Sequence, residues 1–327
     1  MKQYDVYGIG NALVDTEYEV EESFIPKSGL GKGLMTLVNT DERHRIIDLL
    51  EQEYKIIKQC GGGSAANTMV AISQLGGNGF YSCKVSDDEI GDFFMSDLKA
   101  AGLDTNLDDG REAGVSGQCI SMVTPDAERT MSTHLGISET LSETELNEAA
   151  LRQSTYLYIE GYLVTSPTAF AAALKAQKIA HETGVKVSIT LSDPAIVEHF
   201  KSAFDQFAEA GIDLLFCNED EAKIWTASET SDEAFTKLQT ICKQIAMTRG
   251  EHGAMVYDGN EAISVAGTPT KAIDTTGAGD VFAGAFLYAI NQGQSFTEAA
   301  TLANKSASLL VSDFGARLKT EAINALK

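Results

Sequence analysis

The sequence predicts an α/β fold: a doubly wound, mostly parallel sheet flanked by helices, with a small discontinuous β lid. Three observations carry this. From residue 143 onward, apolar runs of strand length alternate with amphipathic runs of helix length, and such alternation builds a parallel sheet covered on both faces. Two earlier stretches, 11–38 and 112–135, break that rhythm with period-two patterning, the mark of a sheet with one open face. A glycine-rich turn, Gly277-Ala278-Gly279, feeds directly into an apolar helix. Residues 1–10, 39–111 and 136–327 are therefore assigned to the core, and 11–38 and 112–135 to the lid.

In chain order, residues 6–9 read as a first strand. Val14, Thr16, Tyr18 and Val20 continue as a half-buried ribbon. A turn-rich piece leads to a short strand at 34–38. Asn39 or Thr40 then caps a helix carrying Ile46, Ile47, Leu49 and Leu50. Residues 55–59 read as another strand, and Gly61-Gly62-Gly63-Ser64 turns the chain into a helix at 65–75. A strand at 80–84 and a helix at 89–101 precede a hairpin, 118–123 and 129–134, around Thr124-Pro125-Asp126. Helices follow at 143–152, 167–182, 195–210, 221–225 and 232–243. Strands lie between them at 156–159, 186–191, 213–216 and 245–248, with two more within 253–265. The last two helices are 280–291 and 296–311. The first of these carries Phe282, Phe286 and Ala289 on one side and Gly284 on a close-packing side.

A chain of 327 residues, 43% of them hydrophobic, suffices for one large α/β domain with a smaller accessory unit. The net charge of −22 argues against nucleic acid or an anionic membrane as a partner. A polyphosphate must then be held by local backbone fields, with a metal ion accompanying it. The five cysteines form no C-x-x-C pair and read as reduced thiols. The N-terminus does not read as a signal peptide, and no apolar run approaches the ~20 residues of a membrane span. A cytoplasmic protein is expected.

Gly8-Ile9-Gly10 follows a strand, but Leu13 stands where a dinucleotide fingerprint needs its third glycine. Gly31-Lys32-Gly33 lacks the Ser or Thr of a P-loop. At Gly277-Ala278-Gly279, free N–H groups at a helix start form an anion site. Asp280 beside it is either a first-turn acid or a base that takes a proton from an attacking hydroxyl. Asp15 is either a solvated strand acid or a carboxylate for two vicinal hydroxyls. Gly61-Gly62-Gly63 either makes a tight turn or admits a ligand to the backbone, with Asn67 reaching a sugar hydroxyl. Asn218 and Glu221, three apart at the carboxyl end of a strand, suit Mg²⁺ held through water, or simply open a helix. Thr248-Arg249-Gly250 ends another strand, where its glycine admits a nucleotide or the chain simply turns. Arg129 in the hairpin is an edge charge or a phosphate clamp. The histidines are scattered and receive no role.

Asp274-Thr275-Thr276-Gly277-Ala278-Gly279-Asp280-Val281-Phe282, with Gly284, resembles the C-terminal signature of the ribokinase-like (PfkB) carbohydrate kinases. Gly62-Gly63-Ser64-Ala65-Ala66-Asn67 resembles their N-terminal signature, and Asn218 with Glu221 matches their N-x-x-E. Within that family the chain is most similar to the adenosine kinase branch. Asn11-Ala12-Leu13-Val14-Asp15, Tyr158-Ile159-Glu160-Gly161-Tyr162 with Thr165-Ser166-Pro167, and Thr190-Leu191-Ser192-Asp193-Pro194 carry the likeness. Ala12 stands where that branch has proline and Tyr162 where it has phenylalanine.

The resemblance implies a ribokinase-like fold and MgATP-dependent phosphorylation of a primary hydroxyl, here the ribose 5′-hydroxyl of adenosine, a purine-salvage step. It implies Asp280 as base and the N–H groups of Gly277, Ala278 and Gly279 as the anion hole. Asp15, Gly62, Gly63 and Asn67 then hold the ribose, with Asn11 and Tyr162 near its base. Asn218 and Glu221 organise Mg²⁺ and its waters. Asn218, Thr248, Arg249, Gly250 and Asn304 lie beside ATP. Many relatives add K⁺ near the anion hole. A free sugar, inosine or guanosine is the alternative acceptor, and a nucleoside sensor without turnover is a third reading. Monomer and homodimer both remain open.

Overall fold

Alternation along the central strands sends neighbouring side chains to opposite faces. Tyr7, Ile9, Leu157, Ile159, Val187, Ile189, Leu215 and Ile245 enter one buried cluster. Val6, Tyr156, Tyr158, Leu214, Phe216 and Ala246 enter another. One sheet therefore carries two cores, as near-continuous apolar strands demand. The computed structural model describes residues 2–126 and 128–326.

The large sheet has nine strands. Their order is Ala262–Val265, Ala254–Tyr257, Cys242–Thr248, Ile212–Asn218, Lys186–Thr190, Ser154–Ile159, Tyr4–Ile9, Gly79–Ser82 and Asp104–Thr105. The run from Cys242–Thr248 to Asp104–Thr105 is parallel; the two strands at the other edge are antiparallel. Helices Pro167–Thr183, Lys201–Ala210 and Ser231–Leu238 cover one face. Ser64–Leu75, Glu89–Ala100, Ala278–Asn291 and Phe296–Val311 cover the other.

The first strand, Tyr4–Ile9, pairs with Gly79–Ser82 on one side and Ser154–Ile159 on the other. The winding direction changes there, and the carboxyl ends at such a point form a natural ligand crevice. Asn11 and Glu160 lie just beyond two of those ends.

A second sheet has five strands, ordered Met35–Leu37, Arg129–His134, Gly117–Val123, Leu13–Glu19 and Lys58–Gly62. One face packs Tyr18, Val20, Ile120 and Met122 against Ile46 and Leu50 of helix Thr40–Glu53. That helix begins with Asn39 in a capping box with Glu42.

This arrangement corrects the boundary at residue 38. The third strand of the early region is Lys58–Gly62, later than the 55–59 expected, and it joins the small sheet beside Leu13–Glu19. Helix Thr40–Glu53 packs on that sheet too, so 39–62 go with it and not with the large sheet. Three helices also differ from expectation. The 143–152 segment is a 3₁₀ turn, Glu143–Glu145, followed by Glu148–Arg152, because the Asn147 side chain caps the second piece through Ala150 N–H at 3.0 Å. The 195–210 segment divides at Phe200, which leaves helical geometry at φ −118°. The helix expected to run to 243 ends at Leu238.

Helices Ser64–Leu75 and Ala278–Asn291 touch along a seam that depends on Gly284. A Cβ there would lie 2.6 Å from Thr68 O and 2.8 Å from the Ala71 Cβ. Gly284→Val should therefore destabilise the protein by about 1–3 kcal/mol through overpacking and part the two helix starts. Thermal melting checks this; an unchanged Tm would show that the seam yields freely.

Candidate active site

A cleft of about 780 Å³ lies between the carboxyl ends of the large sheet and the open face of the small one. Asn11, Asp15, Gly63, Asn67, Tyr162, Asn218, Glu221, Thr248, Gly277, Ala278, Gly279 and Asp280 all line it. Residues from six separate stretches of sequence thus meet in one place. Gly62, Arg249, Gly250 and Asn304 are not on its wall.

Asp280 sits in the first turn of Ala278–Asn291. Its Oδ1 accepts from Ser64 Oγ at 2.6 Å and its Oδ2 from Asn67 Nδ2 at 3.3 Å. Both donors lie in the first turn of the facing helix, so two helix N-termini converge on one carboxylate. Burial pushes the Asp280 carboxyl up to about 6, against the lowering effect of Ser64 and Asn67. The cradle beside it is backbone. Gly277 is left-handed at φ 77°, and its Cβ would strike Ala316 at 2.8 Å. Ala278 N–H is already bonded to Thr275 O at 3.2 Å. The N–H groups of Gly277 and Gly279 have no partner among the described residues, which narrows the expected three-donor hole to those two. A Cβ on Gly279 would meet no atom within 4 Å and would only fill the cradle.

The three glycines before Ser64 serve three different contacts. A Cβ on Gly61 would lie 2.2 Å from Asp97 Oδ2, and one on Gly62 would lie 2.3 Å from Asp15 Oδ2. Gly63 has φ 99° and lies against Asn11 O. Gly62 therefore makes room for Asp15 from behind the wall.

Six carboxyl groups line the cleft, and burial raises four of them, Asp15, Glu160, Glu221 and Asp280, whose donors differ. Glu160 accepts from Asn11 N–H at 3.3 Å, Asn11 Nδ2 at 2.9 Å and Ala65 N–H at 2.8 Å. Glu221 accepts from Asn218 N–H at 2.8 Å and Asn218 Nδ2 at 2.9 Å, in a capping box. Asp280 has its two side-chain donors. Asp15 has no hydrogen-bond donor among the described residues. Burial raises Glu160 and Glu221 to about 7. It raises Asp15 to about 6, opposed by Arg317, Lys58 and Arg129.

The other expected residues are occupied. Asn11 spends its amide on Glu160 and on Ser138, whose Oγ donates to Oδ1 at 3.3 Å. Arg249 Nε donates to Glu219 at 3.1 Å, and Gly250 opens a 3₁₀ turn. Asn304 donates to Val265 O and Ala266 O, tying its helix to the sheet edge. Arg129 pairs with Asp274 at 3.1 Å and Glu17 at 3.3 Å, linking the small sheet to the loop before Gly277. Asp274 also accepts from Thr276 and Gly315 N–H, both at 3.0 Å.

Sequence reasoning missed three contributors. Ser64 stood inside the quoted motif without a role. Glu160 stood in plain view as an acid at a strand end. Met35, Leu37 and Met131, which line the cleft with Leu13 and Leu135, gave no local signal.

The described residues include no helix long and apolar enough to cross a membrane. All five cysteines are free. Comparison with known proteins gives a consistent result. The model for pfkB family carbohydrate kinases matches residues 31–323. A probable sugar kinase from Rhizobium etli CFN 42 is 31% identical with TM-score 0.88, over 99% of this chain and 98% of that one. The adenosine kinase of Sinorhizobium meliloti is 34% identical with TM-score 0.86, at the same 99% and 98% coverage. Ribokinase from Staphylococcus aureus (strain COL) is 26% identical over 267 residues, 80% of this chain and 84% of that protein.

The raised Asp280 carboxyl has a stability consequence. Between its ordinary value of 3.8 and about 6, the folded chain binds more protons than the unfolded one, so stability falls as pH rises through that window. Asp280→Asn removes the charge that burial disfavours. It should raise stability at pH 7.5 by on the order of 1–3 kcal/mol, with the gain closing toward pH 4. Melting curves across pH measure it; a lower Tm at pH 7.5 would contradict it.

Proposed function

This chain belongs to the pfkB family of carbohydrate kinases, and from that premise we propose that it transfers the γ-phosphoryl group of ATP to the ribose 5′-hydroxyl of adenosine, giving AMP and ADP. Kinases of this family use ATP, normally with Mg²⁺. The observation that carries the nucleoside reading is the division of the small-sheet face over Asp280. Toward the Lys58–Gly62 edge it presents Asp15, Lys58 and Cys60; toward the Met35–Leu37 edge it presents Met35, Leu37 and Met131. Met35 and Leu37 are 54% and 62% exposed. A ligand with a hydroxyl-bearing half and a flat apolar half matches both parts. A free sugar matches only the first.

In this reading Asp15, lacking a protein donor, accepts from the two vicinal ribose hydroxyls, and Asn67 steadies the sugar beside it. The 5′-hydroxyl then points to Asp280, which takes its proton as the oxygen attacks phosphorus. A carboxylate raised to about 6 remains ionised at pH 7 and is more basic than an ordinary aspartate. The N–H groups of Gly277 and Gly279, with the helix dipole behind them, offset charge on the transferring group. Closure of the small sheet over the cleft would exclude water and so suppress ATP hydrolysis.

The donor set suits Mg²⁺ bound largely through phosphate and water. Among the described residues no group of three or more His, Cys, Asp or Glu could hold a metal, while Glu221 keeps lone pairs toward the cleft beyond the two that Asn218 uses. When bound, the ion would neutralise phosphate charge. Asn218 and Glu221 would orient its waters. The clamped Asp280 argues against a sensor without turnover, since binding alone needs no buried base.

The deciding experiment is a panel of adenosine, inosine, guanosine, ribose and fructose with ATP and Mg²⁺. Adenosine should exceed ribose in kcat/KM by about a hundredfold or more, from the differential burial of its base. A higher kcat/KM for ribose or fructose would overturn the nucleoside reading. Leu37→Asp should raise KM for adenosine about tenfold while barely changing that for ribose. Equal effects on both acceptors would remove the apolar face from the account.

A further inference from the structure

Arg317 belongs to none of the motifs. It follows Gly315-Ala316, which line the cleft, and its side chain reaches behind the wall. Its Nε donates to Asn67 Oδ1 at 3.1 Å, and its Nη1 pairs with Asp97 Oδ2 at 2.5 Å. Gly61 makes this possible: a Cβ there would lie 2.8 Å from Arg317 Nη2 and still closer to Asp97. Nη2 is buried and has no hydrogen-bond partner among the described residues. A purely structural ion pair would turn both Nη groups onto the carboxylate, the bidentate geometry that guanidinium favours. Here the fork is divided between Asp97 and Asn67, at the expense of one buried donor.

The division fixes Asn67. A guanidinium only donates and a carboxylate only accepts. Oδ1 of Asn67 must therefore face Arg317, and Nδ2 must face Asp280 at 3.3 Å. A flipped amide would set donor against donor and acceptor against acceptor. We infer that Arg317 is a positioning residue for the transfer: anchored on Asp97, it locks the Asn67 amide with its N–H aimed at Asp280 and keeps a positive charge behind Asp15. The inference rests on Asp280 serving as the base. Charged groups around Asp15 are Lys58 from the neighbouring strand, Arg129 from the hairpin, Asp280 from the facing helix and Arg317 itself. Of the three cations, Arg317 opposes the burial of Asp15 most strongly.

The test compares Arg317→Met and Arg317→Lys with the wild type, reading kcat, acceptor KM and the acidic limb of kcat/KM against pH. Methionine removes both fork and charge. It should lower kcat/KM about tenfold or more and move the acidic limb up by roughly half a pH unit, because Asp15 loses the cation that most opposes its burial. Lysine keeps the charge without the fork; kcat should fall about tenfold while the limb stays in place. A structural ion pair would alter melting and leave both the limb and the kcat-against-KM split unmoved. If Arg317→Met retains kcat within twofold and an unmoved limb, the inference is overturned. If that variant does not fold, lysine decides, and wild-type kcat in Arg317→Lys overturns it. Failure of the base assignment reads differently: it appears as near wild-type transfer in Asp280→Asn, whatever happens at residue 317.

Discussion

Ser64 and Asp280 are 216 residues apart and meet at 2.6 Å. That bond joins the starts of two helices, and the rest of the site depends on it. Each start presents unpaired N–H groups and the positive end of a dipole, which offset part of what burial takes from the carboxylate. The approach requires a seam without side chains, supplied by Gly284 against Thr68 and Ala71. It also requires the positive-φ turns at Gly63 and Gly277. Bulk at any of these positions moves the carboxylate away from the anion cradle.

The electrostatics of the cleft run against those of the whole chain. The protein carries −22, yet Lys58, Arg129 and Arg317 gather around Asp15. The four carboxyls that burial raises are distinguished by their donors. Glu160, with three, is a scaffold that binds Asn11 to the start of Ser64–Leu75. Glu221, with two from a single residue, closes a helix cap. Asp280, with two side-chain donors, is held in place while remaining basic. Asp15 has none, and in the proposed reaction it is the one that takes the acceptor's hydroxyls. Four carboxyls that burial raises above the ordinary range thus differ in what holds them.

Much of this was legible in local sequence. The anion turn, the Asn39 cap, the hairpin and the close-packing role of Gly284 all follow from patterns a few residues long. The fold class followed from alternation, which reports burial on both faces of a parallel sheet. What escaped depends on partners distant in sequence. Lys58–Gly62 is too short and too glycine-rich to declare its sheet, and only pairing with Leu13–Glu19 assigns it. Asn11, Arg249 and Asn304 are polar residues at plausible places, but their partners are protein atoms that no spacing rule reveals. Arg317 has partners 220 and 250 residues away, so nothing near it in sequence announces a role.

The central claim is that Asp280, clamped between two helix starts, removes the proton from the acceptor hydroxyl. The most direct measurement compares wild type and Asp280→Asn for single-turnover phosphoryl transfer and for acceptor binding by calorimetry. The account predicts transfer slower by on the order of 10²–10⁴-fold, with acceptor affinity kept within about threefold. Transfer at near wild-type rate in Asp280→Asn would contradict it.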